Sequence, residues 1–284
     1  MLIKKLLPDS GIAFIGGQSS AGKTFVAIAL GVALASGKEF FKYQVKERIG
    51  VLYIAAEGAG NFGARITAAK LAAGVKGPIP FAWTHIIPPL QTQPELTAFI
   101  QKLQGVNQQM QQRWGVRLGA AFIDTVAACF SMQEENSNAE VSVCASMRYI
   151  GDGIGVVVIP IHHFGKDPAT GLRGASAWRG AADVVISVTA DIDPLSGRVS
   201  NRALAIAKAR DAEQGPIAAF RLDYVKLGTD KDGEEFGSCV VLEDPESPRM
   251  LRDQVPKWVP AFDAACKRAL CEYGEELRID NRKV

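Results

Sequence analysis

Apolar residues along this chain fall into short runs bounded by glycine, proline and charge, and the runs alternate with longer stretches of helical period. Strand-like runs occur at Gly11–Ile15, Ile49–Ala55, Ala120–Ile123 and Val156–Ile161, interleaved with helical segments at Phe25–Ala35, Phe62–Ala73, Glu95–Trp114 and Asn138–Ile150. Strands alternating with helices predict a parallel sheet covered on both faces. Beyond residue 180 the pattern changes. Asp183–Thr189, Ala203–Ala207, Ala218–Tyr224 and Cys239–Leu242 follow one another through short turns such as Asp193-Pro194-Leu195-Ser196-Gly197, which predicts an antiparallel extension of the same sheet. The predicted fold is α/β: a mostly parallel twisted sheet flanked by helices, with an antiparallel C-terminal extension. Residues 1–243 read as one core. A Pro- and charge-rich stretch, Glu243–Pro256, then leads to a terminal helix at about Pro260–Tyr273, so 244–284 read as linker and C-terminal helix. Trp258, Phe262, Cys266 and Leu270 recur there at helical spacing and form an apolar stripe that reads as a packing or subunit-contact face ahead of a ligand-binding one.

In open α/β sheets the ligand sits beyond the carboxyl ends of the strands, so chemistry is expected just after each parallel strand. After the first stands Gly17-Gln18-Ser19-Ser20-Ala21-Gly22-Lys23-Thr24. Glycines at this spacing let the backbone curl so that several N–H groups, those of Ser19, Ser20 and Ala21 among them, point at one phosphate cluster. Lys23 is placed to reach the β/γ-phosphates and Thr24 to offer its hydroxyl to Mg²⁺. An apolar strand before the loop and a helix of small apolar residues after it make this the strongest signal in the chain: it binds ATP or GTP.

The second strand ends in Glu57, followed by Gly58. A carboxylate there is either a solvated loop acid or the base that takes a proton from the water attacking the γ-phosphate. Phe122-Ile123-Asp124 ends the third strand in an acid which, beside a phosphate loop, typically holds Mg²⁺. After the fourth come His162 and His163. Adjacent residues on an extended chain point opposite ways, so they are not a metal pair; one can report on the γ-phosphate while the other is satisfied in the core. Gly165–Gly180 carries Lys166, Arg173 and Arg179 among small residues and reads equally as a solvated loop or as a mobile loop gripping a nucleic-acid backbone. Lys208 and Arg210 end a later strand on one face, where cations can stabilise transferred phosphate. Their spacing alone leaves open whose phosphate they reach, or whether they pair with Asp211 or Glu213.

Composition narrows the classes further. The 284 residues are 48% hydrophobic and 22% charged, enough for one large α/β domain with a small extra element. A net charge of +2 argues neither for nor against a nucleic-acid partner. Five cysteines without metal-ligand spacing read as reduced, mostly buried thiols of a cytoplasmic protein. No run approaches the roughly 18 apolar residues of a membrane span, and no signal peptide is legible at the start.

The ordered set resembles the RecA/DnaB-like motor ATPases, and most of all the RepA-type hexameric replicative helicases of plasmids and phages, from about Leu2 to Glu243. The likeness rests on Gly16–Thr24, Leu52–Gly58, Phe122–Thr125 with Glu134–Asn138, Ile161–Lys166, Leu172–Asp183, Ala207–Asp211 with Gly215-Pro216, and Phe220-Arg221-Leu222. It implies a RecA-like P-loop NTPase core, ATP as nucleotide, Glu57 as catalytic base and Asp124 as the Mg²⁺ acid. It implies His163 as γ-phosphate sensor, and Lys208 and Arg210 as a finger reaching into the neighbouring subunit's nucleotide. The active form would then be a homo-oligomer, a hexameric ring. Single-stranded DNA would be held by the Gly165–Gly180 loop, with a primase or replication initiator as a further partner. The chain begins almost at the first core strand, which implies no N-terminal collar, and the terminal helix reads as the start of an appended module. Two other readings of the same core are a regulatory ring ATPase of the KaiC kind and a recombination ATPase.

Overall fold

The strand-forming residues divide by parity, and that division builds the molecule. In β1 (Gly11–Gly17), Ala13 and Ile15 enter one apolar cluster while Ile12 and Phe14 enter another. β2 (Gly50–Ala55), β5 (Val157–His163) and β4 (Leu118–Asp124), the last from Ala120 onward, beyond a register shift against β2, divide the same way, as side chains alternate across a pleated sheet with two covered faces. This structure, a computed structural model, describes residues 1–86, 88, 90–130, 137–163, 175–247, 262, 264–268, 278–279 and 282–283.

Nine strands form one sheet in the order β3-β2-β4-β5-β1-β6-β7-β8-β9. From β3 (Phe81–Thr84) through β6 (Val184–Ile192) all neighbours are parallel. β7 (Val199–Ala209), β8 (Gly215–Thr229) and β9 (Glu235–Glu243) continue it antiparallel. The predicted fold class is therefore the observed one. α1 (Lys23–Ser36) and α2 (Phe62–Ala72) cover one face. α3 (Gln93–Trp114), α5 (Ser137–Ile154) and α6 (Ala175–Ala181), with the single turn α4 (Val126–Cys129), cover the other. α1 is apolar nearly all round, and most of its residues are buried, as befits a helix crossing over the sheet centre.

Four differences from the sequence expectation stand out. β3 was not predicted: it is a four-residue edge strand, half-buried, whose Phe-Ala-Trp-Thr has no room to show a period. α5 runs on to Ile154, past glycines that predict a stop, because Gly153 lies directly under Ile100 of α3 and the two helices pack closely there. The C-terminal part of the predicted Gly165–Gly180 loop is helical, as α6. Near the end, Phe262 and residues 264–268 are helical as expected, and a two-residue hairpin pairs Arg278–Ile279 with Arg282–Lys283. Among the described cysteines, all free, Cys129 and Cys144 are buried while Cys239 and Cys266 are partly exposed. Burial pushes the first two thiols up to about 12, so they stay protonated and unreactive. No helix among the described residues is long and apolar enough to cross a membrane.

Candidate active site

The carboxyl ends of β2, β4, β5 and β1 are consecutive in the sheet, and each delivers one group to a common cavity of about 220 Å³. In register, Ala55 of β2 pairs with Asp124 of β4, Asp124 with Ile161 of β5, and His163 with Gly17 of β1. Alignment to within two residues is what brings Glu57, Asp124, His163 and Lys23 to one mouth.

Gly22 caps α1 with φ at +103°, a conformation open to glycine and costly for other residues. It lets the loop turn directly into the helix, so the first N–H groups of α1 face the cavity. Ser20, also at positive φ, and Thr24 line it. Lys23 is 7% exposed, and its ammonium donates to the carbonyls of Gly17 (3.1 Å) and Gln18 (2.8 Å) and to His163 Nδ1 (3.1 Å). Burial pulls this ammonium from 10.5 down to about 8, against the opposing pull of Asp124 and Glu57. An ammonium has no acceptor, so while Lys23 is charged His163 accepts at Nδ1 and carries its proton on Nε2. His162 is buried and packs on Trp178, ring centroids 5.1 Å apart. Position 163 therefore faces the cavity and 162 the core.

Asp124 is 2% exposed. Its Oδ2 accepts from the hydroxyls of Thr24 (2.9 Å) and Tyr53 (2.7 Å). Burial pushes its carboxyl above the usual range, and the two hydroxyl donors oppose that rise. Glu57 is exposed at the mouth, where Thr125 Oγ1 donates to its Oε1 at 2.8 Å. The backbone holds the two acids together as well: the N–H groups of Ala56 and Glu57 both donate to the Asp124 carbonyl, at 2.7 and 3.3 Å.

Three residues of the site had no role in the sequence reading. Tyr53, buried in a ring column with Phe81 and Phe122, looks like core until its hydroxyl is followed to Asp124; a buried phenol needs a partner, and that need was the available signal. Thr125 orients Glu57. Arg65, on α2, lines the cavity with its guanidinium over the Phe25 ring at 5.4 Å; only its place two turns after a strand-end acid hinted at it. A second hollow of equal volume lies between α1, α2 and β9, but the ionisable residues lining it, among those described, are Glu39 and Glu243, and acids repel phosphate.

The structure does not bring Lys208 and Arg210 to this cavity. Lys208 pairs with Val185, itself level with Phe14, and Arg210 N–H bonds to Asp183, level with Ile12. Five residues at about 3.3 Å each put Arg210 roughly 17 Å back along the strand direction from Gly17. There Lys208 Nζ donates to the carbonyls of Arg179, Gly180 and Ala182, and Arg210 pairs with Asp183 (3.2 Å). Arg179 belongs to the same cluster, donating to the Ala207 carbonyl at 3.3 Å. Lys166, Arg173, Glu134 and Glu135 lie outside the described residues.

The donor set fits Mg²⁺ and a triphosphate. Thr24 and Asp124 present oxygens only, which suits a hard cation that keeps several waters and takes one or two protein ligands besides phosphate. The loop and α1 N-terminus supply the N–H cradle. Fold and cradle together define a RecA-like P-loop ATPase core. The chain belongs to the AAA_25 family of AAA domains, whose sequence profile matches residues 1–169. No curated protein matches it by sequence. Among solved structures it is similar to the ATPase domain of another protein, at TM-score 0.54 and 15% identity over 84% of this chain and 86% of that one. It is also similar to the KaiC-like protein PH0186 of Pyrococcus horikoshii OT3, at TM-score 0.48 and 13% identity over 85% and 93%. At such identities the first likeness speaks to fold alone.

Proposed function

We propose that this chain is an ATP-hydrolysing, ring-forming motor that translocates on single-stranded DNA and serves as a replicative helicase. The observation that carries the reading is a division of labour within one sheet. The candidate phosphate, metal and water-activating groups gather at one end, and a Lys-x-Arg pair lies at the other, held on the end of α6 and on Asp183 and beyond reach of its own nucleotide. Cations so placed serve a neighbour's transferred phosphate, which requires subunits arranged head to tail; such an arrangement gives a ring where the rotation closes, and an open filament where it does not.

In the cavity, Lys23 and the loop N–H groups bind the β/γ-phosphates, and Arg65 adds a second cation at the mouth. Thr24 and Asp124 would hold Mg²⁺, which when bound neutralises charge across the phosphate oxygens. Thr125 orients Glu57, whose carboxylate takes a proton from the attacking water as its oxygen bonds to the γ-phosphorus. The bond to the β-phosphate oxygen breaks and ADP leaves. His163, poised on Lys23, senses the γ-phosphate. Lys208 and Arg210 of the adjacent subunit stabilise the charge that develops. Lys166, Arg173 and Arg179 are the candidate DNA contacts, and a primase or initiator is the expected further partner in the cytoplasm.

One observation favours a second reading, a regulatory ring ATPase indifferent to DNA: the Arg179 guanidinium is already engaged within its own subunit, by the Ala207 carbonyl of β7. ATP hydrolysis with and without single-stranded DNA separates the two. Stimulation that is lost in Lys166→Ala/Arg173→Ala supports the motor; equal turnover with and without DNA moves the assignment to the switch.

A further inference from the structure

The C-terminus of α6 is built unlike those of α1 and α3. Those two end on left-handed glycines, Gly37 and Gly115, whose N–H groups turn back to the helix. α6 instead offers its last carbonyls to cationic side chains from two other elements. Lys208 Nζ donates to the carbonyls of Arg179, Gly180 (3.4 Å) and Ala182 (2.8 Å); Arg210 Nη2 donates to Gly180 (3.1 Å); Arg148 Nη2, from α5, donates to Ala181 (2.9 Å). Final helix carbonyls lack intrahelical partners and carry partial negative charge, so this end is a natural seat for cations.

Asp183 follows immediately. Its Oδ1 meets Arg210 Nε at 3.2 Å, while Oδ2 meets Arg148 Nη2 at 3.3 Å and accepts from the Ile12 N–H at 2.9 Å. The carboxylate can enter because residue 11 is glycine: a β-carbon there would lie 2.2 Å from Asp183 Oδ2. One carboxylate, 20% exposed, is thus shared by two guanidinium side chains that are 41% and 51% exposed. Four cations, Lys208, Arg210, Arg148 and Arg179, gather around one anion. Arg148 therefore offsets the hold of Asp183 on Arg210, and the cluster keeps an excess of positive charge.

We propose that Arg148 and Asp183 are positioning residues for Lys208 and Arg210, setting the pair's direction toward the triphosphate of an adjacent subunit. This rests on the in-trans reading given above. Ordering long cationic side chains beforehand removes an entropy cost from the transition state. Without Arg148, Asp183 holds Arg210 alone and more tightly, and the pair is misdirected.

Subunit mixing tests this, with ATP turnover and affinity for a fluorescent ATP analogue as readouts. Arg148→Gln should bind nucleotide like wild type but lose ten- to a hundredfold in turnover, roughly the cost of misplacing a reacting group, and Arg148→Lys should retain most of it. Mixed with Lys23→Ala subunits, which bind no nucleotide but carry an intact cluster, Arg148→Gln should regain turnover. Arg210→Ala mixed the same way is the reference. If Arg210→Ala is rescued and Arg148→Gln is not, Arg148 acts within its own subunit and the proposal is overturned while the in-trans reading stands. If neither is rescued, both fall. Should Arg148→Gln melt early, Asp183→Asn, which keeps an acceptor for the Ile12 N–H, is read by the same rescue criterion.

Discussion

At the carboxyl end of β1 two charged side chains are buried, Lys23 at 7% exposure and Asp124 at 2%, and each is held by uncharged partners: carbonyls and His163 for the ammonium, two hydroxyls for the carboxylate. Around its amino end Arg148 and Arg210 are half exposed and ion-paired with Asp183, and together with Lys208 they also hold backbone carbonyls. The first arrangement is preorganised for a ligand that arrives into it: hydroxyls, ammonium and carboxylates are already within hydrogen-bond distance, so little rearrangement is left to the moment of reaction. The second lies beyond reach of its own nucleotide, and on the reading proposed above it serves a neighbour's.

That contrast makes predictions of decreasing size. Arg210→Ala should lower turnover by about 10³- to 10⁵-fold, the range for a phosphoryl-transfer arginine finger, while nucleotide affinity in a binding assay stays within a few-fold of wild type; equal loss of binding would place Arg210 in its own site. Glu57→Gln should cost about 10²- to 10⁴-fold in turnover, as for loss of a general base, with affinity for ATP retained. Tyr53→Phe removes the donor that stays on Asp124 when Thr24 turns to the metal. A hydrogen bond to a charged group is worth about 1.5–3 kcal/mol, so Mn²⁺ affinity measured by EPR with a non-hydrolysable nucleotide should fall roughly tenfold or more. An unchanged midpoint would remove Tyr53 from the account.

The smallest effect is in pH. In the empty cavity Lys23 titrates at about 8, depressed by burial, and a bound triphosphate raises it again. Binding above pH 8 must therefore take up a proton, and affinity falls as pH rises. The drop between about pH 7 and pH 8.5 should be roughly fourfold. Calorimetry at pH 8.5 in buffers of different ionisation enthalpy reads the uptake directly, and a binding enthalpy that does not vary with the buffer would contradict it.

The same contrast explains what could be read from the chain. Most of what is local to one strand end was legible: the phosphate loop lies within eight residues, and Glu57, Asp124 and His163 each terminate an apolar run, whereas Thr125, next to Asp124, gave no sign of its bond to Glu57. Tyr53 was not, since its partner Asp124 lies 71 residues away, and a tyrosine in a buried strand reads as packing. The sequence hid α6 among small residues and glycines, because its stability comes from Trp178 wedged between Phe14 and His162 and from cations donated by α5 and β7. Arg148 and Asp183 were invisible for that reason too: each has meaning only against residues dozens of positions off. Short-range periodicity also missed β3, which is held by its pairing with β2.

The most direct measurement is ATP hydrolysis per subunit across a range of protein concentrations, with particle mass recorded on the same samples. Completion of the cavity by a neighbour predicts negligible turnover in the monomer, a rise that tracks assembly into ring-sized particles, and a flat, low line for Arg210→Ala. Full turnover per subunit in a monomer, untouched by Arg210→Ala, would contradict it.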